Sequence, residues 1–134
     1  VLVFIGWQVS NHAKATDAKV QAMASEFCVG HPSRDFLAKG RSIGAFDYSV
    51  TPNPSPDKKP GPPVYDPDWN VDSMEPAGEE VYRKKLAQLE EKFQRLPDGK
   101  ASVMLMVIPP FGREGCEIKF MQGKVTGVRV LTLD

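Results

Sequence analysis

Apolar and polar positions separate most cleanly in the last third of the chain. Val103 to Ile108 is an unbroken apolar run. Cys116, Ile118 and Phe120 then alternate with Glu117 and Lys119, and a third strand-like run extends from Lys124 to Leu133. Period-2 alternation bounded by turn residues predicts strands. The first run is apolar on both faces, which predicts a central strand covered on both sides. Gln122-Gly123 predicts a tight hairpin between the second and third runs. A two-residue turn puts Val125 opposite Phe120 on the core face but turns Val128 and Val130 outward. A bulge at Gly127 returns both valines to the core, and that bulge is expected.

A different period marks the helices. Tyr82, Leu86, Leu89, Phe93 and Leu96 recur at spacings of four and three, predicting a helix over Gly78–Leu96 with one apolar stripe. Glu79 and Glu80 sit at its positive end, and Lys92 and Arg95 near its negative end. Val20, Met23, Ala24, Phe27 and Cys28 share one face of an earlier, alanine-rich helix over about 13–29, stopped by Gly30. This face turns Phe27 and Cys28 into the core. Ser33 is an expected N-cap for a short helix over about Arg34–Lys39. Phe46, Tyr48 and Val50 then share one face of an expected strand over Ala45–Val50.

Residues 51–76 break both periods. Eight of the chain's twelve prolines lie there. Proline fixes φ and lacks an N–H, so neither a helix nor a central strand runs through. A polyproline-like or irregular excursion is expected. Tyr65 and Trp69 lie within it, either packed back on the domain, the preferred reading, or offered to a partner. The fold class is therefore α+β: helices packed on a three- to four-stranded antiparallel sheet, interrupted by the Pro-rich loop 51–76.

Length and charge narrow the classes. The 134 residues make about one domain, taken as 13–134. Lys and Arg total 17, against 17 Asp and Glu, so no global field draws the chain to nucleic acid. The opening Val1–Trp7 is too short to span a bilayer alone. It reads either as a buried first strand or as the end of a membrane anchor covering residues 1–12. Trp7 followed by polar and basic residues fits a helix leaving a membrane, and this reading is preferred.

Cys28 and Cys116 are the two cysteines. In an oxidising compartment such a pair is expected to bridge. The bridge would clamp the first helix to the closing sheet, at about 4–5 kcal/mol in the chain-entropy account. In the cytosol the same two residues would be buried thiols.

The Phe27-Cys28-x-Gly30 helix end and the closing Cys116-x-x-x-Phe120-x-x-Gly123-Lys124-Val125 hairpin resemble small membrane-anchored bacterial proteins. The hairpin is also similar to the end of SmpA/OmlA-type exported domains, which pack a helix pair on a three-stranded sheet and bind other proteins. The resemblance spans about Val20–Tyr48 and Val103–Val130 and implies an exported domain. It carries over no catalytic residue. The Pro-rich segment and the Gly78–Leu96 helix depart from it, as does the lack of a lipidated N-terminal Cys.

Chemistry-bearing motifs are sparse. Cys28-x-x-His31 has the elements of a nucleophile and base, but Cys28 falls on an apolar helix face, where a thiol is inert. Zinc at Cys28, His31 and Cys116 lacks a fourth ligand other than distant His12. Asp66, Asp68, Asn70 and Asp72 open like a calcium loop, but Val71 stands at the required glycine and Ala77 at the required glutamate. Phe111 and Arg113, expected in a Pro109–Gly115 loop, form an aromatic–arginine patch suited to protein contact.

The expectation is a non-enzymatic, membrane-anchored domain on the periplasmic side of a bacterial inner membrane. It would act by protein binding as an accessory subunit, assembly factor or inhibitor, through Tyr65, Trp69, Phe111 and Arg113. No metal, cofactor or nucleic acid is expected. The alternatives are a small-ligand or calcium-binding module and a cytosolic interaction protein.

Overall fold

The alternation that closes the chain builds the larger part of one antiparallel sheet. The computed structural model describes residues 2–53, 69–72, 78–108 and 111–133, and the side chains of 14–53, 69–72, 78–107 and 112–132. The strands are β1 (Asp47–Pro52), β2 (Asn70–Asp72), β3 (Gly99–Ile108), β4 (Phe111–Met121) and β5 (Lys124–Leu133). They lie in the order β2-β1-β3-β4-β5. The helices are α1 (Leu2–Glu26), α2 (Phe36–Ser42) and α3 (Glu79–Gln94). The α+β architecture on an antiparallel sheet is as expected, with five strands rather than three or four. The added strand is β2, three proline-free residues inside the Pro-rich excursion. It pairs with β1 through Asp72–Asp47, Val71–Tyr48 and Asn70–Ser49.

One face of the sheet carries the core. Tyr48, Val50, Val71, Ala101, Val103, Leu105, Cys116, Ile118, Phe120 and Val125 are buried there against Val20, Met23 and Phe27 of α1 and its end. Phe36 and Leu37 of α2 and Leu86, Leu89 and Phe93 of α3 complete it. Aromatic edges lock the layers. The Phe27 and Phe36 rings are 5.2 Å apart, and those of Phe93 and Phe120 5.3 Å, distances at which T-shaped pairs add to area burial. Gly40 lets α2 descend on β3, since a Cβ there would sit 2.6 Å from Val103 Cγ1.

The expected hairpin and bulge both form. Gln122 and Gly123 have φ of 52° and 75°, the signs a type I′ turn requires. Asp98 Oδ1 accepts the Gln122 N–H at 2.8 Å, supporting a non-glycine residue in that conformation. The β4–β5 register shifts between Lys119–Gly127 and Phe120–Val125. The extra residue on β5 brings Val128 opposite Ile118 and Val130 opposite Cys116. Both valines pack against the core.

Several local readings need correction. Residues 2–7 continue α1, so the first-strand reading of Val1–Trp7 does not hold over the described part. Among the described residues no helix is long and apolar enough to cross a membrane. α2 has Asp35 rather than Ser33 at its N-cap position, with no side-chain capping bond, and runs through Gly40 to Ser42. β4 already begins at Phe111, so Phe111–Gly115 is strand rather than loop tip. β3 is central as expected, but all three described helices lie on one face of the sheet.

The expected disulfide is absent: Cys28 is an exposed free thiol and Cys116 a buried one. The reason is where α1 ends. Periodicity continued to residue 29 would aim Cys28 inward, but the helix releases at Glu26 and leaves Cys28 beyond it. The clamp is made by the backbone instead. Gly30 N–H donates to the Val125 carbonyl at 2.8 Å, and Val125 N–H returns to His31 at 2.9 Å. Ser33 N–H donates to the Gly123 carbonyl, also at 2.9 Å.

Candidate functional site: the helix-free sheet face

Alternation sends every second side chain of each strand away from the helices. The register orders these residues into rows across the sheet. One row reads Asp72, Asp47, Met104, Gly115 and Leu131; the next reads Asn70, Ser49, Ser102, Glu117 and Arg129. A third contains Thr51, Lys100, Lys119 and Gly127. Among the described residues no helix packs on these rows.

Polar pairs knit the middle row. Ser49 Oγ donates to Asn70 Oδ1 at 2.6 Å. Arg129 Nε donates to Glu117 Oε1 at 2.9 Å, an ion pair whose carboxylate side is well covered. Met104 is only 6% exposed although none of the described helices covers it. Its sulfur lies over Gly115, where any Cβ would strike both that sulfur and the Val103 carbonyl oxygen. A missing side chain on β4 therefore shelters an apolar one on β3, and this explains how both sides of β3 read as apolar. Arg113 lies 5.8 Å from the Phe46 ring centroid, within cation–π range. Burial, then the Asp72 carboxylate opposite, holds the Asp47 carboxyl above its ordinary range, and the Arg113 guanidinium works against both. An open hollow of about 170 Å³ lies at the β5 side, lined by Glu117, Lys119, Gly127, Val128 and Arg129.

The expected contact residues do not form one patch. Arg113 is on the helix-free face. Trp69 is half-buried against the core, with Lys92 Nζ of α3 4.4 Å from its ring centroid, so it belongs to the helix side. Tyr65 and the Phe111 side chain lie outside the described residues, although the Phe111 backbone pairs with Ile108. Sequence reasoning put Lys119 on the polar phase of its strand but named none of Asp47, Lys100 and Lys119 as a site residue. Their signal was available as the polar phase of each alternating strand, but pairing them requires the register.

Other reactive groups stand apart. Burial, then neighbouring Glu117, pushes the Cys116 thiol up to about 11, so it stays protonated at neutral pH. His31 packs its ring against Phe27 at 4.7 Å. Tyr48 donates to the Ala45 carbonyl at 2.8 Å, and burial raises its hydroxyl pKa. Glu114, 8% exposed, is a charged residue on the helix side of the sheet. Burial, then a hydrogen bond and charge repulsion from Asp17 of α1, pushes its carboxyl up to about 7.

Metal coordination finds little support in this arrangement. Asp66 and Asp68 lie outside the described residues, and Asn70 and Asp72 sit on extended β2 rather than curling around a point. Asn70 Oδ1 already accepts from Ser49. Among the described residues no group of three or more His, Cys, Asp or Glu could hold a metal ion. No protein-family model, curated protein or solved structure matches the chain.

Proposed function

We propose that the chain is a non-enzymatic protein-binding domain whose docking surface is the helix-free face of its sheet. One observation carries the reading: a five-stranded sheet with all its described helices on one side, and a second side bearing exposed Arg113 beside Phe46 and grouped charges. Arginine and aromatic side chains at a partly apolar surface are the composition of contact sites. Trp69, held against the core and Lys92, supports this face from behind rather than making the contact. The side chains an enzyme reading would draw on are spread between an exposed Cys28, a protonated and buried Cys116, and a His31 ring engaged with Phe27.

We further propose attachment to a membrane, on the outer face of a bacterial inner membrane, through the apolar start of α1. The support is the apolar Leu2–Trp7 stretch followed by polar Gln8–Lys14 in one continuous helix, together with the resemblance to exported domains. The cysteines no longer contribute to that argument.

Site-specific photo-crosslinking in cells of the source organism tests the docking face. A photoreactive side chain at Arg113 or Lys119 should give discrete protein adducts. The same group at exposed Gln88 of α3 should not. Equal adducts from both sides, or none from Arg113 and Lys119, would end the proposal.

A further inference from the structure

We propose that the outer edge of β5 takes an added strand from another protein, an extended segment whose carboxylate side chain sits over Gly127 between Lys119 and Arg129. This rests on the reading of the chain as a protein-binding domain and names the class of partner and the rim of the sheet it uses.

β5 is the outermost strand on its side of the sheet, with the three-residue β2 at the other margin. An edge strand presents a row of unpaired N–H and C=O groups, and proteins guard such rows with proline, lysine, a bulge or a covering segment. Here the guards stop early. Backbone groups of Gly30, His31 and Ser33 bond to Gly123 and Val125, and Pro32 bridges Lys124. The bulge follows directly, between Phe120–Val125 and Lys119–Gly127. From Gly127 to Leu133 the register with β4 is regular, and among the described residues no backbone group outside β4 bonds to this stretch. It reads Gly-Val-Arg-Val-Leu-Thr-Leu, without proline or lysine. Its one charged side chain, Arg129, is turned along the sheet to Glu117. In an antiparallel strand every second residue directs its N–H and C=O away from its neighbour, so this edge is a template for strand addition. The chain's own Pro-rich loop is unsuited to the role. Pro54, Pro56, Pro60, Pro62, Pro63 and Pro67 cut it into short runs, and proline donates nothing to a ladder.

The two sides of this edge set the partner's chemistry. On the helix side Val128 and Val130 are half-buried and reach the core from its margin, so apolar residues of an added strand would cover their open flank. On the other side Gly127 opens the hollow it shares with Lys119 and Arg129. A Cβ at Gly127 would meet nothing within 4 Å, so packing does not demand a glycine there. Lys119 is its register partner, and Lys100 faces Lys119 from β3. Among the described residues neither lysine makes an ion pair. Arg129 holds Glu117 through Nε at 2.9 Å, while its side chain stays 67% exposed. The Glu117 charge is therefore offset, and the hollow is left with the charge of the lysines. A carboxylate complements it, and such a contact fixes register and selects the partner. Successive side chains of a strand point to opposite faces, so one alternating segment presents apolar residues to the valines and an acidic residue to the hollow.

Selection from a random displayed peptide library against the full chain tests the proposal. Enriched peptides should alternate apolar and polar residues, include aspartate or glutamate among the polar ones, and lack proline in the paired stretch. With the tightest of them bound, hydrogen exchange should slow along Gly127–Leu133. Lys119→Glu should weaken that peptide roughly tenfold or more, and replacing the peptide's carboxylate by lysine should restore binding to this variant. Gly127→Val fills the hollow with a residue suited to strands and should weaken the peptide by a similar factor. Circular dichroism reports the folding of both variants. Peptides that leave β5 exchange unchanged, or that bind both variants as tightly as the unaltered chain, overturn the proposal. So does a dimer in sedimentation equilibrium whose β5 is protected without peptide, since the edge would then belong to a second copy. A library that yields no alternating acidic peptide overturns it as well; crosslinks from Arg113 to another protein would then leave the docking reading standing.

Discussion

The two faces of the sheet are built from the same strands under opposite rules. Across β4, the helix side presents Cys116, Ile118 and Phe120, all at most 1% exposed, while the other side presents Glu117 and Lys119. The helix side gains stability by removing apolar area from water, roughly 25 cal/mol per Å². The helix-free side keeps mixed charges, including two like-charged cross-strand pairs that oppose folding. One face is organised for stability and, among the described strand residues, buries one charged side chain, Glu114. The other tolerates local cost, which is the property the proposed docking role draws on.

The largest expected effect lies on the helix side. Phe93 is 2% exposed and meets the Phe120 ring. Phe93→Ala should cost about 3–5 kcal/mol in urea unfolding, as aromatic truncations in packed cores do. Lys119→Ala, on the opposite face, should stay within about 0.5 kcal/mol. Equal losses would show that the sheet has no stability-free face.

Glu114 is the next largest. Its carboxyl titrates near 7 in the folded chain, against 4.5 as the ordinary value. Between those pH values the folded state binds more protons than the unfolded state, so stability falls as pH rises from about 4.5 through about 7, then levels. The full swing is roughly 3 kcal/mol. In Glu114→Gln this swing should vanish from melting curves taken between pH 4 and 8, since the amide carries no titrating proton yet still donates to Asp17. An unchanged pH slope would clear Glu114 of the effect.

Trp69 bears directly on which face it serves. As a half-buried residue packed on the core and under Lys92, it should cost about 1–2 kcal/mol on truncation to alanine. Binding by the folded variant should be unaltered. A Trp69→Ala protein of full stability that no longer crosslinks its partner would return the residue to the docking surface.

Much of this contrast was legible before the register was known. The Val128 and Val130 phase required a bulge beside Gly127, because two valines on one strand do not both turn outward while the partner strand buries Ile118. The α3 stripe and the Gln122-Gly123 turn were equally readable, since they depend on spacing within one element. What was hidden depends on contacts between elements or on where an element stops. Cys28 misled because the helix ends three residues sooner than its periodicity suggested and leaves Cys28 outside the core. β2 was masked by the prolines around it, and Met104 looked like a residue under a second helical layer because Gly115 gives it shelter. The site itself was legible only in pieces: Arg113 was named, but Asp47, Lys100 and Lys119 acquire meaning only when strands distant in sequence are paired.

The smallest effect on stability makes the sharpest test of the contrast. Lys100 faces Lys119 across β3 and β4, and both are exposed. Lys100→Glu converts that repulsive pair into an attractive one. Cross-strand pairs contribute roughly 0.2–1 kcal/mol, so the monomer should gain a few tenths of a kcal/mol. The gain should be read in dilute protein, where self-association does not add to stability, and should shrink in high salt. The same substitution removes a cation from the proposed docking face, so crosslinking from Arg113 to a partner should weaken as folding strengthens. If the variant loses stability and keeps its crosslinks, Lys100 belongs to the architecture of the sheet and the division between the two faces fails at that position.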